Sequence, residues 1–316
     1  MAQRRHDFSA LKRPLLLLAS TVFVAFVLPA FVVFVAAEQQ PRFRADVLTV
    51  TVTVSVADAN GRLITGLTKD DFEIFVDGLQ QPLTQFSDVR FPVSLGIMLD
   101  ASDSMRGQAI VDACMAFDRF VGELLEPEDE AFAATFNHRP KSMTAWRRPP
   151  KELIHALNGA QPTGGTAIYD ALVEFSPMFE RRTNNRAAMV VISDGADTAS
   201  DRTLQQAREV IRRTDAFVYA IAIDAPDARA STRVNPEALR EITGPSGGYT
   251  EIVHSAADLG PATARIADEL NKQYTLGYTP LRAPDNTWRS IRVRAKNRDH
   301  FARSRRGYFS EPLGNR

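Results

Sequence analysis

From Val47 to Val56 apolar and polar side chains alternate, with Leu48, Val50, Val52, Val54 and Val56 on one side and Thr49, Thr51, Thr53 and Ser55 on the other. That period of two belongs to a half-buried β-strand. Asn60-Gly61 supplies a hairpin turn, and Phe72-Glu73-Ile74-Phe75-Val76 followed by Asp77-Gly78 repeats the pattern, so residues 45–90 read as an antiparallel β module. It is too short to hold a core alone. Near the other end, Tyr274–Tyr278, Trp288–Ala295 and Arg305–Phe309 read as further strands, with Ile291 and Val293 alternating against Arg292 and Arg294. Both ends are expected to contribute to one β layer beside a central domain.

In the middle the pattern changes to short, wholly apolar strands separated by amphipathic helices, as in a parallel sheet covered on both faces. Strands are expected at Val93–Leu99, Ala131–Phe136, Ala187–Ile192, Phe217–Ile223 and Tyr249–Val253. Helices are expected at Ile110–Leu125, Lys151–Leu157, Ile168–Phe179, Thr203–Arg213, Pro236–Ile242 and Ala262–Lys272, the first carrying Ile110, Cys114, Phe117, Val121 and Leu124 at helical spacing. The predicted class is α/β, a doubly wound, mostly parallel sheet with a small β module from the flanks. Its segments are 38–91, 92–272 and 273–316. A ligand site in such a fold lies at the carboxyl ends of the strands.

Ahead of all this, Arg4, Arg5, Lys12 and Arg13 precede an uncharged apolar run from Pro14 to Ala37. Basic-then-apolar order is an export signal, and residues 1–37 read as a signal peptide or a membrane anchor. The ending Val35-Ala36-Ala37 suits cleavage, while the run is long enough to span a bilayer, which takes about 20 residues. Either way the rest of the chain is expected outside the cytoplasm: periplasmic, in the cell envelope or extracellular.

Charge narrows the partner. Lys and Arg total 38, as do Asp and Glu, so the formal net charge is zero and no global field draws the chain to nucleic acid. The single cysteine, Cys114, excludes an intrachain disulfide and any metal site built from several cysteines. A metal here must be held by oxygen or histidine.

The expected strand ends carry such oxygens. The first central strand runs into Leu99-Asp100-Ala101-Ser102-Asp103-Ser104, a later loop reads Thr163-Gly164-Gly165-Thr166, and another strand closes on Ile192-Ser193-Asp194-Gly195. Two carboxylates with three hydroxyls make a hard, low-charge cage suited to Mg²⁺ or Mn²⁺. This D-x-S-x-S…T…D set resembles the metal-ion-dependent adhesion site of von Willebrand factor type A domains, over about residues 92–272. The resemblance implies that Asp100, Ser102, Ser104, Thr166 and Asp194 form the metal site, with Ser102, Ser104 and Thr166 as direct ligands and the aspartates often acting through water. Gly66–Phe72, Asp77-Gly78 and Gln81, with Gln273–Tyr278 and Arg306–Phe309, are similar to recurring strings of a bacterial group of exported proteins that carry such a domain between β segments. In relatives of this fold the final helix shifts when the metal shell closes, which implies coupling of Ala262–Lys272 to the strand after it; the alternative, favoured on the residues alone, is a passive connection.

The resemblance implies a binding protein that captures an Asp or Glu side chain of a protein partner and is not an enzyme. The rivals are a metal-assisted phosphohydrolase and a scaffold with a dead metal site. The hydrolase needs an acid/base aspartate two residues after Asp100, where this chain has Ser102. Asp103, Asp170, Asp197 and Asp201 read as capping groups. His138, His155 and His254 form no metal-binding pair, and the arginine-rich C-terminal strands read as a solvated face. Gly244-Pro245-Ser246-Gly247-Gly248 reads as a turn cluster without the lysine of a phosphate loop.

Overall fold

Burial on both faces explains the apolar runs of the central strands. In the computed structural model, which describes residues 49–147, 153–224 and 233–311, strands β5 (Val93–Asp100), β6 (Glu130–Phe136), β8 (Arg186–Ser193) and β9 (Phe217–Ile223) are buried along their whole length. Their side chains sort by the period of two onto two cores. Leu95, Ile97, Leu99, Val190, Ile192, Tyr219 and Ile221 face one side, where α1 (Gln108–Leu124), α2 (Leu153–Leu157) and α6 (Leu259–Asn271) pack. Met98, Phe132, Met189, Val191 and Val218 face the other, against α3 (Ile168–Phe175), α4 (Leu204–Ile211) and α5 (Pro236–Ser246). Gly96 makes room on that side: a Cβ there would lie 2.7 Å from the Phe132 ring, which packs edge-on against Trp146 and Phe179.

The sheet order is β10-β9-β8-β5-β6-β7, with β10 at Thr250–Val253 and β7 at Pro140–Ser142. All its pairings are parallel except β6 with β7. The chain moves outward from β5 in both directions, so the reversal in strand order falls between β5 and β8. Crevices of this kind hold ligands in open α/β sheets.

The flanks form two sheets where the sequence reading expected one layer. One has the order β13-β1-β11-β4 and the other β14-β12-β2-β3. Their strands are β1 (Val50–Ala57), β2 (Phe72–Val76), β3 (Leu79–Gln81), β4 (Leu83–Ser87), β11 (Tyr274–Tyr278), β12 (Trp288–Ala295), β13 (Phe301–Arg303) and β14 (Gly307–Phe309). A one-sided strand of this kind needs a facing sheet, and the two inner faces close on Val52, Val54, Ile74, Leu276, Tyr278 and Val293. The first sheet alternates C- and N-terminal strands and the second sets a C-terminal pair beside an N-terminal pair, with β1 antiparallel to β11 and β2 antiparallel to β12. Asp77 and Gly78 both have positive φ, 50° and 81°, and join β2 to β3 in a tight turn. Asn60-Gly61 does turn the chain, but it returns only to a single bridge between Ala57 and Leu63.

Helix ends also differ from the periodic reading. The expected helix 168–179 becomes 3-10 from Ser176 to Arg181, where Pro177 enters the first turn. Helix α5 runs on through Pro245 and stops at left-handed Gly247, so the Gly-Pro-Ser-Gly-Gly cluster is half helix. The export signal or anchor assigned to residues 1–37, like Val47 and Leu48, lies outside the described residues. Among the described residues no helix is long and apolar enough to cross a membrane.

Candidate functional site

Strand β5 ends on Asp100 and β8 on Ser193, side by side at the reversal in strand order. Asp100 is fully buried. Its Oδ1 accepts the Ser102 backbone N–H at 2.8 Å, and its Oδ2 accepts the Ser193 hydroxyl at 2.5 Å. Ser102 Oγ lies 3.0 Å from Ser104 Oγ, and the Ser104 hydroxyl donates to Asp194 Oδ1 at 2.7 Å. A continuous chain of oxygens therefore runs from buried Ser102 to exposed Ser104 and half-buried Asp194. Both carboxyls titrate above their ordinary range. Burial raises Asp100 to about 7, with the Asp194 charge adding to the rise against the Ser193 and Ser102 hydrogen bonds. Burial likewise raises Asp194.

Thr166 reaches the same place through the backbone. Thr163 N–H donates to Ala101 C=O at 2.8 Å and Asp103 N–H to Gly164 C=O at 2.9 Å, which ties the Gly-Gly-Thr loop to the first loop. On its other side, Thr166 C=O accepts from the N–H groups of Thr198 and Ala199, and Thr166 N–H donates to Thr198 Oγ1 at 3.1 Å. Gly164 has φ +75°, and a Cβ there would lie 2.5 Å from His138 Nδ1, so only glycine lets this loop pass under the imidazole. Four of the five candidate residues thus form one chain of direct contacts: Asp100, Ser102, Ser104 and Asp194. Thr166 stands on the neighbouring loop.

Of the remaining acidic groups of these loops, Asp170 and Asp197 hold backbone, whereas Asp103, read as a capping group, holds a side chain. Asp197 Oδ2 accepts Tyr169 N–H in the first turn of α3 at 3.0 Å, together with the Ser200 hydroxyl at 2.6 Å. Asp170 accepts the N–H groups of Asp201 and Arg202. Asp103 pairs with Arg106 at 2.7 Å. Ser193 is the participant that residue type did not reveal; the signal for it was its inward position at the end of a buried strand, beside Asp100.

The donor chemistry fits a hard divalent cation. Two carboxylates close enough for one to raise the other's pKa have no ion-pair partner among the described residues, and hydroxyls connect them. Among those residues no cluster of three or more His, Cys, Asp or Glu side chains offers a site of a different kind.

Residues 95–196 match the family model of the von Willebrand factor type A domain. No curated protein matches the chain significantly. Among solved structures, a von Willebrand factor type A protein from Catenulispora acidiphila superimposes with TM-score 0.51 at 12% identity, covering 85% of this chain and 76% of that one. The vWF domain of the type V pili tip protein Mfa5 from Porphyromonas gingivalis gives TM-score 0.49 at 13% identity, covering 58% of this chain and 96% of that one. The conserved hypothetical protein BatB from Bacteroides thetaiotaomicron gives 0.46 at 19%, covering 56% and 98%. At such identities the Catenulispora likeness speaks for the fold, and it extends beyond the stretch that the family model matches. Sheet order, two-sided core and family match agree: the central region of this chain is a von Willebrand factor type A domain.

Proposed function

We propose that the protein is an exported or membrane-anchored binding protein whose type A domain holds Mg²⁺ or Mn²⁺ on Asp100, Ser102, Ser104, Thr166 and Asp194 and captures an Asp or Glu side chain of a protein partner. The observation that carries this reading is the chain of oxygens from Ser102 through Ser104 to Asp194, open to solvent at Ser104 and backed by the buried Asp100 carboxylate. Ser193 and the Ser102 N–H hold that carboxylate in place, while the bonded loops at Ala101–Asp103 and Thr163–Gly164 hold the hydroxyls at fixed spacing. When bound, the cation would offer an unfilled coordination position to a partner's carboxylate. Binding is preferred over hydrolysis because Ser102, and no carboxylate, stands two residues after Asp100. The basic-then-apolar segment 1–37 supports placement at the cell envelope.

The test is binding of a fluorescent peptide with a single Asp in a Gly/Ser background to the full chain in detergent. Binding in Mg²⁺ that is lost in EDTA and in Thr166→Ala is expected. Equal binding under all three conditions would contradict the reading.

A further inference from the structure

Beside the candidate metal loops lies a recess of about 600 Å³ whose described lining includes His138, Arg139 and Lys141 and no Asp or Glu. Arg139 comes from the turn between β6 and β7, where the chain reverses with Phe136 opposite Pro140, and Lys141 from β7 itself. That turn is built firmly. Asn137 N–H donates to Arg139 C=O at 3.3 Å, and Asn137 Oδ1 accepts Arg139 N–H at 3.0 Å. Asn137 C=O also accepts Ala167 N–H at 2.6 Å, which fixes the turn to the residue after Thr166.

The recess and the metal loops share walls. Ala101, between Asp100 and Ser102, lines the recess together with Thr163, and these two are joined by a backbone hydrogen bond. His138 sits against Gly164 of the same loop. Arg139 and Lys141 are exposed, and neither has an ion-pair partner among the described residues. The acidic side chains Asp170, Glu174 and Asp201 line a different recess, which shares Pro140 with this one. Two unpaired cations and an imidazole thus flank the place where a partner's carboxylate would bind.

We propose that this recess takes a second carboxylate of the same partner, so that the recognised segment is an acidic cluster with two Asp or Glu residues close together. The inference rests on the capture of a first carboxylate at the metal site and adds the sequence requirement of the partner. Arg139 supplies a planar fork of N–H donors that matches a carboxylate, and Lys141 a mobile point charge. Their contribution is specificity and association rate, and it weakens as salt rises.

The experiment uses the full chain in detergent with Mg²⁺ at low ionic strength. The probes are the single-Asp fluorescent peptide and three relatives with a second Asp one, two or three positions further on. At least one two-acid peptide should bind about tenfold more tightly than the single-Asp peptide, a difference of ~1.4 kcal/mol. In Arg139→Gln/Lys141→Gln that gain should vanish while the single-Asp peptide binds as before. Lys296→Gln/Arg298→Gln removes two cations from the distant β12–β13 turn and should keep the gain. Absence of a gain at every spacing, or its survival in Arg139→Gln/Lys141→Gln, overturns the inference and leaves the metal reading intact. Two-acid binding that persists in EDTA but is lost in Arg139→Gln/Lys141→Gln overturns the metal reading and, with it, the pairing of metal and recess. No binding of any peptide overturns both.

Discussion

Ser193 shows how much of the site depends on a residue outside the motif. Its hydroxyl occupies one oxygen of a carboxylate that has no access to solvent, and the Ser102 N–H occupies the other. Removing a donor from a buried acceptor costs the unmet desolvation of that acceptor, about 1–3 kcal/mol. Ser193→Ala should therefore lower stability by about that much in urea unfolding measured with EDTA present, and an unchanged midpoint would show that the bond is immaterial. The contacts among Asp100, Ser102, Ser104 and Asp194 were legible because the ends of neighbouring parallel strands bring their oxygens together, with Thr166 on the adjoining loop. Ser193 was not, because a serine closing a strand looks like any polar terminus until the neighbouring strand is in register with it. The acidic neighbours were legible in kind: Asp170 and Asp197 bind backbone N–H groups, as capping residues do.

At the scale of elements, the junction between the type A domain and the sandwich is a buried polar cluster on α6 and the strands it meets. Glu269 is buried and accepts from Ser55 of β1 at 2.9 Å and from Tyr219 of β9 at 3.0 Å, and it pairs with Arg303 of β13. Burial lifts its carboxyl above the usual range, while Arg303 and the two hydroxyls pull it back. Gln273 continues the cluster from the end of α6 to Arg186 of β8. Breaking one side of a buried pair costs about 3–5 kcal/mol, and with Arg303 35% exposed the expected loss for Arg303→Met is discounted to about 2 kcal/mol. Without its cation the Glu269 pKa rises further in the folded state. The penalty is then fully present above that folded pKa and disappears below the unfolded one, so the deficit of the variant should shrink as pH falls from 8 toward 4. Glu269→Gln/Arg303→Met should recover most of the loss. Thermal unfolding across pH decides it, and a pH-independent deficit would contradict the assignment. The central helices and strands and the long strands of the flanks were readable from periodicity, whereas Leu83–Ser87 was not named. The short edge strands Leu79–Gln81, Pro140–Ser142 and Phe301–Arg303 were not, because three residues carry no period and pairing alone defines them.

For the whole molecule, the order of strands makes the two ends of the chain interdependent. Strand β11 lies between β1 and β4, and β12 lies between β14 and β2, so removing the C-terminal segment takes the inner strand from both sheets. The apolar faces of Val52, Val54 and Ile74 then lose their cover, and unpaired edges of this kind aggregate. A chain ending at Lys272 should be insoluble or bind a hydrophobic dye; a monomeric, cooperatively unfolding product would contradict a shared sandwich. The sequence reading located β1, β2, β11, β12 and β14, but a period of two cannot say whether amphipathic strands lie side by side or face to face.

A divalent cation held by these loops would sit on a fold that stands without it. The direct measurement is calorimetric titration of the full chain with Mg²⁺ and Mn²⁺, in wild type, Asp100→Ala and Asp194→Ala, with circular dichroism before and after EDTA. One ion per chain is predicted, with affinity at least about tenfold weaker in each variant and no loss of secondary structure on chelation, because the two-sided core is independent of the ion. Metal affinity unchanged in both variants, or no uptake by the wild type, would contradict the account.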